Sequence, residues 1–349
     1  MNAPELKAVG ELDRRTYLGG SDIAAVMGLS PWKTPLQLYE EKIAETVEAI
    51  SDEKRRFFAR RKRQEPVIAE MLADEYNIEV TRLSLDEHPN RYTDAEYPWM
   101  AAEIDFECLM TPAVRAHFEA REDFSAIPDG APLNGEIKTV HPFAANQWGE
   151  QGSEDVPIHY SAQVMWGLGV KRRPGALVAA LFGLDNLLAF PIMPDSETIA
   201  GIRAKAADFW INHVLARRPP DPINMEDMMR LFAKVNGRPV EVDDDTMTAL
   251  SRLREIRANV NAMEGEKEDL EFLIANYIRR QLGASSDAPP QQGDNAILTA
   301  GGLPFATWKK QSRESIDTKR LKAEQAEIAA QYGRTTWFRA IRFPKPKGA

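Results

Sequence analysis

Glu136 and Lys138 stand two positions apart in the run Asn134-Gly135-Glu136-Ile137-Lys138-Thr139-Val140. The run is short, flanked by apolar residues, and reads as a strand. Residues i and i+2 of a strand point to the same face, so the carboxylate and the ammonium stand side by side with Ile137 in the core behind them. Charges on one side of a buried strand need a shared reason to be there. Asp105 lies in a second apolar stretch, Ala102-Glu103-Ile104-Asp105-Phe106-Glu107-Cys108, also read as a strand. If the two strands are neighbours, Asp105 and Glu136 can share a divalent cation, with the Ile137 backbone carbonyl as a further ligand. Carboxylates with water and phosphate oxygens are what Mg2+ or Mn2+ prefers. Such an ion acidifies a bound water and polarises phosphorus. Lys138 would position or help deprotonate the attacking water and offset developing negative charge. Asp…Glu-x-Lys therefore reads as metal-dependent phosphodiester hydrolysis, although Glu-x-Lys alone is also the pattern of a surface ion pair.

The elements that must position these residues come from a chain of 349 residues, 43% of them apolar, enough for one large domain or two moderate ones. Cys108 is the single cysteine, which excludes a disulfide framework and a multi-cysteine metal cluster and points to a reducing compartment. The opening residues lack the apolar core of a signal peptide and no apolar run has membrane-spanning length, so the expected location is cytoplasmic. The net charge of −9 argues against nucleic acid as a sum, but its distribution does not. Residues 54–63, KRRFFARRKR, hold seven basic residues in ten, and 309–347 carries eleven Lys and Arg against four Asp and Glu. A solvated helix face is the ordinary reading of one such patch. The five histidines are scattered outside any H-E-x-x-H, there is no G-x-S-x-G, and no P-loop is present.

Along the chain, Gly19-Gly20 turns into a short helix with Ser21 or Asp22 as N-cap. Thr34, Pro35 and Gln37 make the capping box of the next. A long helix is expected over 52–76, interrupted or restarted at Pro66, with Phe57, Phe58, Val67, Ile68, Met71, Leu72 and Tyr76 inward. Strands are expected at 78–83, 99–108 and 133–140, with 110–132 a loop insertion. A helix follows at 158–169, a hairpin at 176–192 and a helix at 195–216. The breaker RRPPDP at 217–222 marks a candidate domain edge. The resulting organisation is a catalytic domain over 1–216, a connector over 217–245, a coiled coil or helical hairpin with 3.5-residue spacing over 246–282, a flexible linker over 283–296, and a basic tail over 297–349. Strands at 304–309 and 336–343 flank a helix at 318–331 in that tail.

YLGGSDIAAVMGLSPWKTPLQLYEEKIAE, then RRKRQEPVIAEMLADEY, YPWMAAEIDFE, NGEIKTV and WGEQGSEDVPIHYSAQVMWGLGV resemble, in order, the motifs of the YqaJ-like viral recombinases. These belong to the lambda-exonuclease-like branch of the PD-(D/E)xK nucleases. The resemblance covers roughly residues 15–195. It implies an α/β (α+β) fold: a restriction-endonuclease-like core whose central mixed sheet is flanked by helices, here with the C-terminal helical extension. It implies a Mg2+-dependent exonuclease, with Mn2+ able to substitute, acting 5′ to 3′ on linear double-stranded DNA ends in phage-type recombination. A non-catalytic DNA-binding scaffold or a structure-specific endonuclease is the alternative. Partners would be the DNA ends, a single-strand annealing protein and further copies of the chain. By the same resemblance Asp105 and Glu136 hold metal and Lys138 is the catalytic lysine. Glu65 is the upstream acid that approaches a metal or its water, and Gln163 supports the site. Tyr160 faces the same region one turn before Gln163. Ser21 would take a DNA phosphate at a helix start, with Arg15 on the same or a terminal phosphate. His141 and His159 stand close enough in sequence to touch DNA or the site. Each also has an ordinary reading: Glu65 as a counter-charge, Gln163 as a bridge, Ser21 as a cap, Tyr160 as a core aromatic, Arg15 as a surface charge. Two positions depart from the family pattern. Arg61 stands where many relatives have Gly, and Ile104 and Phe106 flank Asp105 where Pro and Gly are frequent.

Overall fold

The computed structural model describes residues 13–46, 51–83, 91–231, 239–281, 296–309, 314–333, 341 and 343. The chain divides into two compact units, residues 1–233 and 234–349. The first unit contains α1 (Gly20–Val26), α2 (Pro35–Ile43), α3 (Asp52–Tyr76), β1 (Val80–Leu83), β2 (Arg91–Thr93), β3 (Ala101–Glu103), β4 (Phe106–Leu109), α4 (Pro112–His117), α5 (Glu122–Ser125) and β5 (Pro132–Val140). It continues with α6 (Ile158–Lys171), β6 (Ala176–Phe182), β7 (Asn186–Ile192), α7 (Ser196–Asp208), which runs on as a π-helical segment to Leu215, and α8 (Met225–Leu231).

The fold is mixed α/β, a central sheet with helices on both faces. The strand order is β1-β4-β5-β6-β7, and only β5 and β6 run parallel, joined by the α6 crossover. All seven residues of β6 are buried, as expected of an apolar strand covered on both sides. Its alternate residues feed two cores. Val178, Ala180 and Phe182 pack with Ile23, Leu38, Trp166 and Ile202 of α1, α2, α6 and α7. Leu177, Ala179 and Leu181 pack with Ile68, Leu72 and Tyr76 of α3 and Val114 of α4. Leu133 and Ile137 of β5 join the second core, which leaves Glu136 and Lys138 for the α6 face. Gly135, on the other face of β5, pairs directly with Phe106 of β4. A Cβ there would lie 2.3 Å from three atoms of the fully buried Phe106 ring, so the aromatic closes over a position that only glycine leaves open.

Several elements differ from the expectation, each for a local reason. The stretch 99–108 is not one strand. β3 pairs with β2 in a separate two-stranded sheet, β4 joins the main sheet, and Asp105 lies in the break between them. The segment 110–132 contains α4 and α5, the first capped by Thr111 with Pro112 at its first position. α3 runs unbroken through Pro66, and only its second half faces the core: Ile68, Leu72 and Tyr76 are buried, whereas Phe57, Phe58 and Val67 are exposed. Ser21 and Asp22 are not the N-cap of α1. Gly19 is, and Asp22 reaches back to accept its N–H at 3.1 Å. The capping box of Thr34 and Gln37 forms as expected. Part of the segment read as a connector belongs to the first unit, because α8 is tied to α2 by Thr34 Oγ1 donating to Asp227 (2.7 Å) and by Arg230 pairing with Glu40 (2.8 Å).

In the second unit α9 (Asp244–Gln281) is one uninterrupted helix, not a hairpin, since nothing between its ends breaks it. Its 3.5-spaced stripe, including Ile256, Val260, Met263, Leu270, Ile274 and Tyr277, is exposed. β8 (Ala296–Ala300) and β9 (Leu303–Trp308) form an antiparallel hairpin, and the helix expected at 318–331 is split into α10 (Thr318–Glu324) and α11 (Ala326–Gln331). Of the expected strand 336–343 only residues 341 and 343 are described, and the linker 283–295 also lies outside the described residues. No described helix is long and apolar enough to cross a membrane.

Candidate active site

The site forms where the end of β4, the middle of β5 and the first turns of α6 meet. The Asp105 N–H donates to the Gly135 carbonyl at 3.1 Å, continuing the β4–β5 ladder. At the next rung a side chain replaces the backbone: Asp105 Oδ2 accepts the Ile137 N–H at 2.9 Å. This bond ends the strand pairing and points the carboxylate at β5. The N–H and C=O of one strand residue face the same neighbour, so the Ile137 carbonyl lies on the edge of β5 that Asp105 approaches.

Across the strand, Lys138 Nζ donates to Glu136 Oε1 and, at 3.2 Å, to Gln163 Oε1. Gln163 Nε2 donates to Glu136 Oε1 at 2.5 Å, so the amide bridges both members of the pair. Gln163 reaches them because α6 packs closely on α1; a Cβ at Gly20 would lie 3.1 Å from Gln163 Cγ. Burial pulls Lys138 down, but Glu136 and Asp105 outweigh it and hold its ammonium above the ordinary lysine range. Burial pushes Glu136 up to about 7; Lys138 opposes the rise, and the charges of Asp105 and Glu65 add to it.

Glu65, on α3, is pushed up to about 7 by burial and then by Asp105, against the pull of Lys62, which pairs with it at 2.7 Å. One turn earlier Arg61 donates to the Thr139 carbonyl at 3.0 Å and fastens α3 to the end of β5. The arginine that departs from the family pattern thus has a structural partner here.

Two buried acids, Glu65 and Glu136, whose hold on a proton is raised by burial and by the charge of Asp105, offer oxygen donors that suit a hard divalent cation. Among the described residues no three acid, histidine or cysteine side chains lie close enough to enclose an ion by themselves. The available set is therefore two carboxylates and a backbone carbonyl, with the remaining positions left to water or phosphate oxygens, which is how Mg2+ is usually held.

Residues 11–173 match the YqaJ-like viral recombinase domain. The chain is 22% identical over 340 residues to YqaJ of Bacillus subtilis, covering 94% of this chain and 91% of that protein. Among solved structures it is similar to an alkaline exonuclease, LHK-Exo, from Laribacter hongkongensis (15% identity, 63% of this chain and 95% of that one, TM-score 0.41). It is also similar to a phage-related exonuclease from Haemophilus somnus (9% identity, 58% and 96%, TM-score 0.36).

Within the matched segment the structure brings Asp105, Glu136, Lys138, Gln163 and Glu65 into one neighbourhood. Tyr160 joins them, its ring centroid 4.9 Å from Lys138 Nζ. His159 lies beside Tyr160 and under the exposed Trp32, with its pKa lowered by burial and by Lys138. His141 instead caps a 3-10 turn, accepting the Phe143 N–H. Arg15 does not meet Ser21. It is held by Asp13 and by the Ala44 and Glu45 carbonyls, while Arg14 donates to Ser21 Oγ at 2.8 Å. The tight turn at 14–16 sends successive side chains in different directions.

Two features escaped the sequence reading. Asn134 shares the face of Glu136 and Lys138, is buried, and lines a cavity of about 10 Å3 with Glu136 and Gln163, room for one water. The i, i+2, i+4 spacing of 134, 136 and 138 was the available signal. The other is a buried ion pair between Asp22 and Lys42 at 2.8 Å, which has no signal in local spacing.

Proposed function

We propose that this protein is a metal-dependent deoxyribonuclease that degrades linear double-stranded DNA from its ends, 5′ to 3′. The observation that carries this reading is the aim of the Asp105 carboxylate at β5, beside a Glu136–Lys138 pair buried on that same strand. The YqaJ-like viral recombinase domain supports it. Asp105, Glu136 and the Ile137 carbonyl would hold a Mg2+ ion, or Mn2+ in its place, which would supply Lewis-acid polarisation of the scissile phosphate and a more acidic water. Lys138, kept charged by its carboxylate neighbours, offsets the negative charge that grows on the phosphate oxygens. Gln163 fixes both Glu136 and Lys138 so that neither reorganises as charge develops. Glu65 approaches the attacking water, and Tyr160 and the Arg14–Ser21 pair border the DNA path, with Arg15 behind them. The strand left unpaired would pass to an annealing protein, and α9, with its exposed apolar stripe, would join copies of the chain or meet that partner. The protein would work in the cytoplasm, where phage DNA recombines.

The test uses linear and closed circular duplexes of one sequence, each with Mg2+, and wild type beside Asp105→Ala. Wild type is expected to consume the linear DNA, to release a 5′ label before a 3′ label, and to leave circles intact; Asp105→Ala is expected to leave all DNA whole. DNA bound but uncut by wild type identifies a scaffold. Cut circles identify an endonuclease.

A further inference from the structure

α3 changes character half-way along its length while keeping one face. Ile68, Ala69, Leu72 and Tyr76 of that face are buried. Followed toward the N-terminus at the same three- and four-residue spacing, the face presents Glu65, Lys62, Arg61, Phe58, Phe57 and Lys54. The rings of Phe57 and Phe58 are 42% and 48% exposed, with centroids 5.9 Å apart. The Arg61 guanidinium lies 5.1 Å from the Phe57 ring and the Lys54 ammonium 5.9 Å from that of Phe58. A solvated helix face accounts for the cations but not for two phenylalanines held among them. The charge of this stretch, seven basic residues in ten, selects an anionic occupant. The rings select one with flat, unpaired faces to stack on. Both demands are met by single-stranded DNA, whose bases stack on aromatics while its phosphates meet Lys and Arg. A duplex offers only the second, because its bases already stack on one another.

The face leads to the site. Arg61 holds the Thr139 carbonyl, next to Lys138, and Phe57 lies two turns before Glu65, about 12 Å along the helix. We infer that the N-terminal half of α3 is a platform for single-stranded DNA, with bases stacked on Phe57 and Phe58 and phosphates neutralised by Lys54 and its basic neighbours. The inference rests on the nuclease reading for the origin of that strand, which digestion of the opposite strand leaves unpaired beside Glu65.

Binding measured in EDTA separates the two, since no DNA is cut. The probes are fluorescein-labelled oligodeoxythymidylate of about 15 nucleotides and a duplex of the same length, read by anisotropy. Phe57→Ala/Phe58→Ala is expected to weaken single-strand binding about tenfold or more and to change duplex binding by less than about twofold. Phe57→Tyr/Phe58→Tyr keeps the ring faces and is expected to bind like wild type. The salt dependence of single-strand binding should be unchanged in the alanine pair and shallower by about 0.7 in Lys54→Ala, which removes a phosphate contact. Unchanged single-strand affinity in the alanine pair, or an equal loss on single strand and duplex, overturns the platform. Linear duplex that is still degraded alongside such a result leaves the nuclease reading standing.

Discussion

Lys138→Ala should lower the rate of linear duplex hydrolysis by about 100- to 1,000-fold, the usual cost of removing one positioned charge-stabilising donor. The loss should fall on turnover, with DNA affinity little changed, because Lys138 is buried between Glu136 and Gln163 and, in the proposed reaction, would reach no part of the DNA but the scissile phosphate. The fold should survive. Without the ammonium, Glu136, already pushed up to about 7, takes a proton and stays buried as a neutral acid hydrogen-bonded to Gln163. Single-turnover digestion with a thermal melt of each variant checks both parts. A variant that melts like wild type and cuts at more than about a tenth of its rate would remove Lys138 from the chemistry.

The second large effect concerns stability and lies away from the scissile bond. Lys42 Nζ donates to Asp22 Oδ2 (2.8 Å) and to the carbonyls of Arg14 and Tyr17 (both 2.7 Å), three acceptors for the three N–H bonds of an ammonium. Burial pulls Lys42 below the ordinary lysine range, so these partners are what keep it charged. Burial alone would raise Asp22, but Lys42 and Arg14 outweigh it and hold the carboxyl below its usual value. Its contribution is therefore present above about pH 4 and fades as acid titrates it. Lys42→Ala removes the principal buried partner of the carboxylate, leaving it to Arg14 at 3.6 Å and the Gly19 N–H, and should cost about 3–5 kcal/mol, lowering the melting temperature by about 6–20 °C. Asp22→Leu/Lys42→Met, which removes both charges, should recover most of the loss. Denaturant melts of the three proteins decide it, and an Ala variant within about 1 kcal/mol of wild type would show that the pair is not structural.

How far the sequence reached depended on whether each constraint was local. β5 was legible because alternation is a local pattern: Leu133, Gly135 and Ile137 on one face, Glu136 and Lys138 on the other. The cap of α2 was legible because Thr34, Pro35 and Gln37 act within one turn. Asp105 was legible as an acid among apolar residues, but the strand break around it was not, since a hydrogen bond to Ile137, 32 residues on, makes the break. For α3 the 3.6-residue period gives the correct face and cannot say where the core stops covering it, so it predicts Phe57 and Phe58 inward where the structure exposes them. Arg14 and Arg15 are indistinguishable by type, and only the turn geometry sends the first to Ser21. The pairing of Asp22 with Lys42 spans 20 residues and two helices, beyond any local spacing. The residues bearing the proposed chemistry were visible, and the contacts that orient them were not.

One divalent ion is expected to bind between Asp105 and Glu136, against the Ile137 carbonyl. Anomalous diffraction from crystals soaked in Mn2+ tests it most directly. The expected result is a single strong peak within bonding distance of both carboxylates, lost in Asp105→Ala. Saturating Mn2+ that leaves this position empty, or that binds elsewhere while Asp105 turns away from Ile137, would contradict it.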